Sequence, residues 1–463
     1  MKRKDLGSAV IRRLDYPNKG RFLLEESGEE GIVKNVIPGQ RVLFRVYKKH
    51  KGVVYGTRVE VLEASPLETR EPFCEHFGNC GGCLYQTVPY EEQLRMKEDQ
   101  VLRLLKDIVS PETVYDGVKG SPAETEYRNK IDLSFGDSYV GGPLTLGMHK
   151  MGTRYTVLDA ECCALMHPDL RTVLKTVRDY FSRREVPFYN KLRHEGFLRY
   201  LMLRRSQTSG EILMVLATSS QMEYDFSPLV EELLGLGLSG SFAGIFHAVC
   251  DRYADALLPD ELHCLYGRDY FYEDLLGLRF RISLFSFFQT NTAGAAVLYD
   301  TVREYVRMAG NERGEDIKKP ILYDLYCGTG TIAQVLAENA EHVYGIELVE
   351  EAVEAAKANA ALNRITNCTF LAGDVFETLP LLPEKPDFVI LDPPREGVHE
   401  KTIKKLLTNE IRDMIYVSCK ASSFVEDMRC FREAGWRIGR YALVDLFPQT
   451  CHCELVAKLT RGM

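Results

Sequence analysis

A single tryptophan among 463 residues, no apolar run near the ~18 residues of a membrane span, and no internal repeat or low-complexity tract set the first limits on this chain. The basic start Met1-Lys-Arg-Lys-Asp leads into no apolar segment, so neither a secretion leader nor an anchor is expected, and the chain reads as cytoplasmic. Positive charge is also in short supply. Lys plus Arg (58) less Asp plus Glu (66) gives −8, which argues against a protein coated along its whole length in nucleic acid. What is present is an ordinary globular balance, 45% hydrophobic and 27% charged, which excludes a disordered or fibrous chain. The thirteen cysteines do not form a disulfide framework in a reducing compartment and point instead to metal or cluster ligands, catalysis or burial.

The charge is uneven. Residues 1–64 hold 14 Lys/Arg and 8 Asp/Glu, a net of +6, which leaves −14 for the rest and suggests a polyanionic partner for the N-terminal part. Short strands at Val42–Val46, Gly52–Thr57 and Arg58–Leu62, between Gly, Pro and Lys turns, predict a small barrel of the OB type over residues 1–65. A solvated basic face on a plain β-domain is the bland alternative. A helix is expected over Tyr90–Leu105 behind Pro89. Residues 66–284 are mixed and β-rich, with extended stretches at Lys130–Phe135, Leu144–His149, Tyr200–Arg204 and Glu211–Leu216 and no assignable topology.

From about residue 320 strands and helices alternate. Strands are expected at Ile321–Tyr326, His342–Glu347, Cys368–Ala372, Asp387–Leu391 and Met414–Ser418, with helices at Glu350–Asn363 and Glu400–Thr408. This predicts an α/β, Rossmann-like, doubly wound domain over 285–463. The first strand runs into Asp324-Leu-Tyr-Cys-Gly-Thr-Gly-Thr, whose Gly328 and Gly330 allow a tight turn against a ligand. That run also satisfies a relaxed dinucleotide fingerprint, so an NAD enzyme is a competing reading. Glu347 and Asp374 follow the second and third strands, however, and acids at successive strand ends suit a nucleoside while repelling phosphates. They favour S-adenosylmethionine. The fourth strand ends in Asp392-Pro-Pro-Arg, in which two prolines hold the loop extended and Asp392 in the crevice. Arg395 stands where methyltransferases acting on amino groups carry a stacking aromatic residue, which argues against attack by an exocyclic amine.

Cys419 ends the fifth strand in Val-Ser-Cys-Lys, where Lys420 is expected to favour the thiolate. Glu454, in Pro448-Gln-Thr-Cys-His-Cys-Glu, opens a final strand over Leu455–Leu459 and is a candidate proton acceptor. Together they suit methylation of a pyrimidine at C5. A thiolate adds at C6, the activated C5 attacks the methyl group, and a base removes the C5 proton so that the thiolate leaves. A separate run places Cys74, Cys80 and Cys83 in the spacing C-x5-C-x2-C, with Cys162-Cys163 as the source of a fourth ligand. Thiolates this close need an iron–sulfur cluster or zinc to neutralise them.

These motifs give the chain a resemblance, over almost its whole length, to the bacterial RNA 5-methyluridine (uracil-C5) methyltransferases of 23S ribosomal RNA or tRNA. The resemblance implies a class I methyltransferase domain, and makes the basic segment an RNA-binding TRAM domain. It makes Cys74, Cys80 and Cys83 part of a [4Fe–4S] motif whose register in Asp159-Ala-Glu-Cys-Cys-Ala-Leu selects Cys163. Tyr127-Arg-Asn-Lys matches a family segment, and Phe288-Gln289-Thr-Asn291 matches the one whose glutamine touches the methyl donor. Donor-binding roles are implied for Gln289, Tyr326, Glu347, Asp374 and Asp392, the nucleophile role for Cys419, and the base role for Glu454. Cys453 stands where the family more often has valine. The function expected is methylation of uridine C5 in structured RNA by a monomer, with 23S ribosomal RNA favoured over tRNA. An RNA cytosine-C5 methyltransferase and an inactive iron–sulfur RNA-binding protein are the alternatives.

Overall fold

The computed structural model describes residues 2–25, 27–253, 256–311, 319–408, 411 and 413–461. It divides into two compact units, one of residues 1–72, 84–122 and 294–463, the other of 73–83 and 123–293. The segments expected at 1–65, 66–284 and 285–463 therefore do not each form a unit of their own. Residues 84–122 cross over because strand Val114–Lys119 extends the C-terminal sheet, pairing in parallel with Trp436–Val444.

The first unit is built on an eight-stranded sheet in the order Cys368–Ala372, His342–Glu347, Ile321–Leu325, Phe388–Leu391, Asp413–Ser418, Glu454–Arg461, Trp436–Val444, Val114–Lys119. The five strands from Cys368–Ala372 to Asp413–Ser418 are parallel, as their alternation with helices requires. The four inner ones have buried interiors, such as Phe-Val-Ile-Leu at 388–391, the mark of strands covered on both faces, whereas the edge strand Cys368–Ala372 buries only Phe370. Glu454–Arg461 then enters antiparallel between Asp413–Ser418 and Trp436–Val444. The limits of the expected strands hold to within one residue in this half, except that the last strand runs on to Arg461, and Trp436–Val444 is a strand absent from the expected set.

Residues 6–63 form a six-stranded sheet in the order Leu6–Val10, Arg41–His50, Val53–Glu63, Glu30–Lys34, Lys19–Leu23, Arg13–Asp15, around a core that includes Ile11, Phe22, Val42 and Phe44. Gly52–Thr57 and Arg58–Leu62, expected as two strands, are one strand, Val53–Glu63. No breaker separates Thr57 from Arg58, and three register shifts against Arg41–His50 supply the bending instead. Helix Tyr90–Leu105 joins this sheet to the other. Met96 packs into the small core, whereas Val101 and Leu105 pack into the large one. Tyr16 also crosses over: it lies in the large core, and its hydroxyl accepts the Ala421 N–H at 3.2 Å, two residues after Cys419.

The second unit carries a seven-stranded sheet, Val157–Asp159, Leu144–His149, Lys130–Asp137, Leu198–Arg205, Glu211–Thr218, Ser241–Val249, Glu261–Gly267. Helices Pro168–Ser182 and Ser227–Leu234 bury Leu170, Val173, Val177, Leu229 and Leu233 in its core. Hairpin Tyr270–Leu275/Leu278–Ser283 forms a separate two-stranded sheet, with Tyr272 N–H donating to Glu211 Oε2 at 3.4 Å. No helix among the described residues is long and apolar enough to cross a membrane.

The crossing of Tyr16 makes the small sheet structurally inseparable from the catalytic half. Tyr16→Phe should lower stability by about 1 kcal/mol, for the missing hydrogen bond, and Tyr16→Ala by about 3–5 kcal/mol, as for other large buried rings. Urea unfolding of the full chain measures both. An unchanged midpoint in Tyr16→Ala would contradict its place in the core.

Candidate active site

Ile321–Leu325 occupies the centre of the parallel strands, and the chain leaves it toward His342–Glu347 on one side and returns on the other at Phe388–Leu391. Such a reversal opens a crevice at the carboxyl ends of the strands, where α/β sheets bind ligands. The turn into the crevice is made by three residues in the left-handed region, Tyr326 (φ 66°), Gly328 (φ 54°) and Gly330 (φ 72°). At position 330 a Cβ would lie 2.6 Å from the Phe370 ring and 2.9 Å from Ala356 Cβ, so only glycine fits. A tyrosine at positive φ is costly, and it is kept at the mouth of the crevice. Burial pushes its phenol up to about 12.

Acidic side chains line this end of the sheet. Glu347 is oriented by two backbone donors, Gly328 N–H to Oε2 and Val349 N–H to Oε1, each at 3.0 Å. Its strand partner Ala372 is followed two residues later by exposed Asp374, which caps the next helix by accepting Phe376 N–H at 2.8 Å. Asp324 is fully buried. Its Oδ2 accepts Ala333 N–H at 2.9 Å, and Oδ1 has no hydrogen-bond partner among the described residues. Burial, then the charge of Asp392, pushes the Asp324 carboxyl up to about 8. The glycine-turn motif that begins at Asp324 assigns this residue no role from sequence. The one signal that could have found it is an acid inside an otherwise apolar strand.

Asp392, Cys419 and Glu454 meet at the ends of three adjacent strands. Ser418 pairs with Leu455, so an antiparallel final strand sets Glu454 beside the residue after Ser418, which is Cys419. Burial pushes Asp392 up to about 7 and Glu454 up to about 8, the latter raised further by Asp392 and lowered by Arg395. The Cys419 thiol is also raised, to about 11, by burial and by the charges of Glu454 and Asp392. The thiol is therefore raised rather than lowered, against the expectation from Lys420, which is exposed and is not among the largest influences on it. The cation that acts on Cys419, Glu454 and His452 is Arg395, whose carbonyl is held by Ser423 Oγ at 2.7 Å. Cys453 is 2% exposed within the large core and fills space as valine does.

In the second unit Cys74 Sγ lies 3.6 Å from Cys162 Sγ, and Cys163 lies near enough to Cys80 for their charges to interact. Burial raises the thiols of Cys74, Cys162 and Cys163, so thiolates held here need a cation to neutralise them, and the donor set fits a metal group. Glu75, His76 and Cys162 also bring ligand atoms within 4.8 Å of one another. Gln289 belongs to this unit as well. Its carbonyl accepts Asn129 Nδ2 at 2.8 Å, and Thr290 O accepts Asn129 N–H at 2.9 Å, so the 127–130 and 288–291 segments lie side by side.

The buried acids set the pH dependence of stability. Glu454 and Asp324 have folded-state pKa values raised from 4.5 and 3.8 to about 8, so the folded chain binds more protons than the unfolded one between these values. Stability that is complete below the lower values is lost as pH rises through about 8. Glu454→Gln should therefore stabilise the chain at pH ~9 and have little effect at pH ~4. Urea midpoints across that range measure the difference, and a gap that fails to widen would contradict the buried carboxylate.

A family model described as a methyltransferase domain matches residues 318–434. An uncharacterized RNA methyltransferase of Clostridium acetobutylicum is 40% identical over 461 residues, covering 100% of this chain and 99% of its own. One from Caldanaerobacter subterraneus subsp. tengcongensis is 42% identical over 462 residues, with both chains fully covered. The crystal structure of Pyrococcus abyssi tRNA (uracil-54, C5)-methyltransferase with S-adenosyl-L-homocysteine is 25% identical, with a TM-score of 0.75 over 98% of this chain and 100% of that one. The nucleotide crevice, read from sequence as either a dinucleotide or a methyl-donor site, is thus of the methyltransferase kind. By full-length identity the chain belongs to the S-adenosylmethionine-dependent RNA methyltransferases.

Proposed function

We propose that this RNA methyltransferase transfers the methyl group to C5 of a uridine in structured RNA through a covalent adduct on Cys419. The observation that carries the reading is the meeting of a thiol, Cys419, and a buried carboxylate, Glu454, beside Asp392 at the mouth of the donor crevice. Amine methylation needs neither group. A C5 transfer needs both, because C5 is nucleophilic only after a thiolate adds at C6, and the product forms only after the C5 proton leaves. Glu347 and Asp374 are assigned to the nucleoside of the donor, Tyr326 and Asp392 to its walls, and Gln289 to the donor on the resemblance alone. The donor supplies an electrophilic methyl group on a positively charged sulfur.

Cys419 loses its proton to solvent and adds to C6, and the activated C5 then bonds to the methyl group as the donor's S–CH3 bond breaks and the donor becomes a neutral thioether. Burial and the nearby acids hold the thiol up even with Arg395 beside it, so the positive charge of the bound donor is assigned to favouring the thiolate. Glu454, titrating close to working pH, then takes the C5 proton, and the C6–S bond breaks to return the thiolate. The target base must be unstacked to reach this depth. Ribosomal RNA of the 23S class is the favoured substrate. A tRNA substrate is the second reading, supported by the activity named for the Pyrococcus abyssi enzyme. Mapping 5-methyluridine in both RNAs from cells lacking the protein separates the two. Phosphate contacts are assigned to the hairpin of the small sheet, where Lys48, Lys49 and Lys51 are exposed. Cys74, Cys80, Cys83 and Cys163 are assigned to a [4Fe–4S] cluster, with zinc as the alternative.

Four outcomes test this reading. Cys419→Ala should abolish turnover with donor binding nearly intact, and Glu454→Gln should accumulate a covalent RNA adduct that already carries labelled methyl on a denaturing gel. Normal product release by Glu454→Gln would move the base elsewhere, with His452 first to examine. Lys48→Ala with Lys51→Ala should flatten the salt dependence of RNA binding, by roughly one unit of slope for each phosphate that no longer has a lysine against it. Protein purified without oxygen should be brown and contain sulfide. A colourless preparation with stoichiometric zinc and no sulfide would decide for zinc on the cysteines.

A further inference from the structure

Glu454 opens its strand after nine residues, 445–453, without helix or strand. A carboxylate at the end of an irregular segment is only as well placed as that segment. Here the segment is gripped by three buried side chains of helix Tyr90–Leu105 spaced along one helical face. Lys97 Nζ donates to Asp445 Oδ1 at 2.8 Å and to Phe447 O at 3.1 Å, with both charged side chains fully buried. The same Asp445 Oδ1 accepts Phe447 N–H at 2.9 Å, while Oδ2 accepts the Tyr90 hydroxyl at 3.1 Å.

Farther along, Gln93 and Gln449 exchange two hydrogen bonds. Gln93 Nε2 donates to Gln449 Oε1, and Gln449 N–H donates to Gln93 Oε1, each at 2.9 Å. Gln449 is fully buried at φ 69°, a backbone conformation that an isolated loop would abandon. Its carbonyl accepts Leu84 N–H at 2.7 Å. A chain needing only to connect two strands has no use for a buried ion pair, which is a poor source of stability and a good way to specify one geometry.

We propose that Lys97 and Gln93 are positioning residues for the proton-abstraction step: they hold the 445–450 segment so that Glu454 stands where the C5 proton is delivered. The inference rests on the reading of Glu454 as the base. Disturbing the grip leaves Cys419 and the donor crevice in place. Thiolate addition and methyl transfer then proceed, and release of the methylated adduct slows.

Single-turnover reactions with methyl-labelled donor and excess full-length enzyme read the two steps separately, as appearance and decay of the labelled protein–RNA adduct. Gln93→Met keeps the volume and removes the paired hydrogen bonds. It should form adduct within about twofold of the parent rate and release it at least about tenfold more slowly, as a misplaced group does. Lys97→Met combined with Asp445→Leu removes the ion pair without leaving a lone buried charge. It should show the same split and stands in if Gln93→Met does not fold. Equal slowing of both steps, or unchanged decay, overturns the positioning role. Glu454→Gln run in parallel distinguishes the failures. If it traps adduct while both grip variants release normally, only the positioning inference falls. If it fails to trap, the base assignment itself falls.

Discussion

The crowding of carboxylates out of water at one end of the parallel sheet is the constraint on which the chemistry depends. Asp324, Asp392 and Glu454 interact electrostatically there, and burial raises all three. A crevice of this kind is unfavourable for phosphates and favourable for a sulfonium. In the proposed reaction the donor enters as a cation and leaves as a neutral thioether, so the attraction that loads the crevice disappears once the methyl group has moved. Burial and the same charges hold Cys419 as a thiol, against the opposing charge of Arg395.

Helix Tyr90–Leu105 is the mechanical counterpart of that electrostatic arrangement. One side contributes Met96 to the core of the small sheet, and Val101 and Leu105 belong to the core of the large one. Its buried polar face meets the loop that leads to Glu454, and Gln100 Oε1 accepts Asn18 N–H at 2.7 Å. With Tyr16 accepting the Ala421 N–H, the N-terminal sheet is tied to the backbone that follows Cys419 and, through the helix, to the segment that precedes Glu454. A module whose surface charge suggests RNA binding is thus part of the framework of the reaction site.

Much of this was legible in the chain itself. Alternating apolar runs and helical stretches marked the parallel strands, because a strand buried on both faces must be continuously apolar and a βα unit must return the chain. The glycine turn, the acids after successive strands, Asp392-Pro-Pro and the cysteine spacing all carried their chemistry in local pattern. Cys419 could be placed at a strand mouth from sequence alone. The environment of its thiol could not, since neighbouring Lys420 points to a low pKa while residues distant in sequence, Glu454 and Asp392, raise it.

Tertiary structure decided whatever depends on pairing between distant segments. The final strand brings Glu454 to Cys419 only because it runs antiparallel into a parallel sheet, and hydropathy carries no sign of strand direction. Residues 84–122 joined the catalytic unit rather than the central one because Val114–Lys119 found an open edge there, a choice made by hydrogen bonding across more than 300 residues of sequence. Lys97 and Asp445 lie far apart in sequence, and no local pattern marks the burial that brings them together. Local pattern determined which elements form and which side chains carry the chemistry; the strand order, and the low dielectric it creates around those side chains, determined how they titrate and which of them meet.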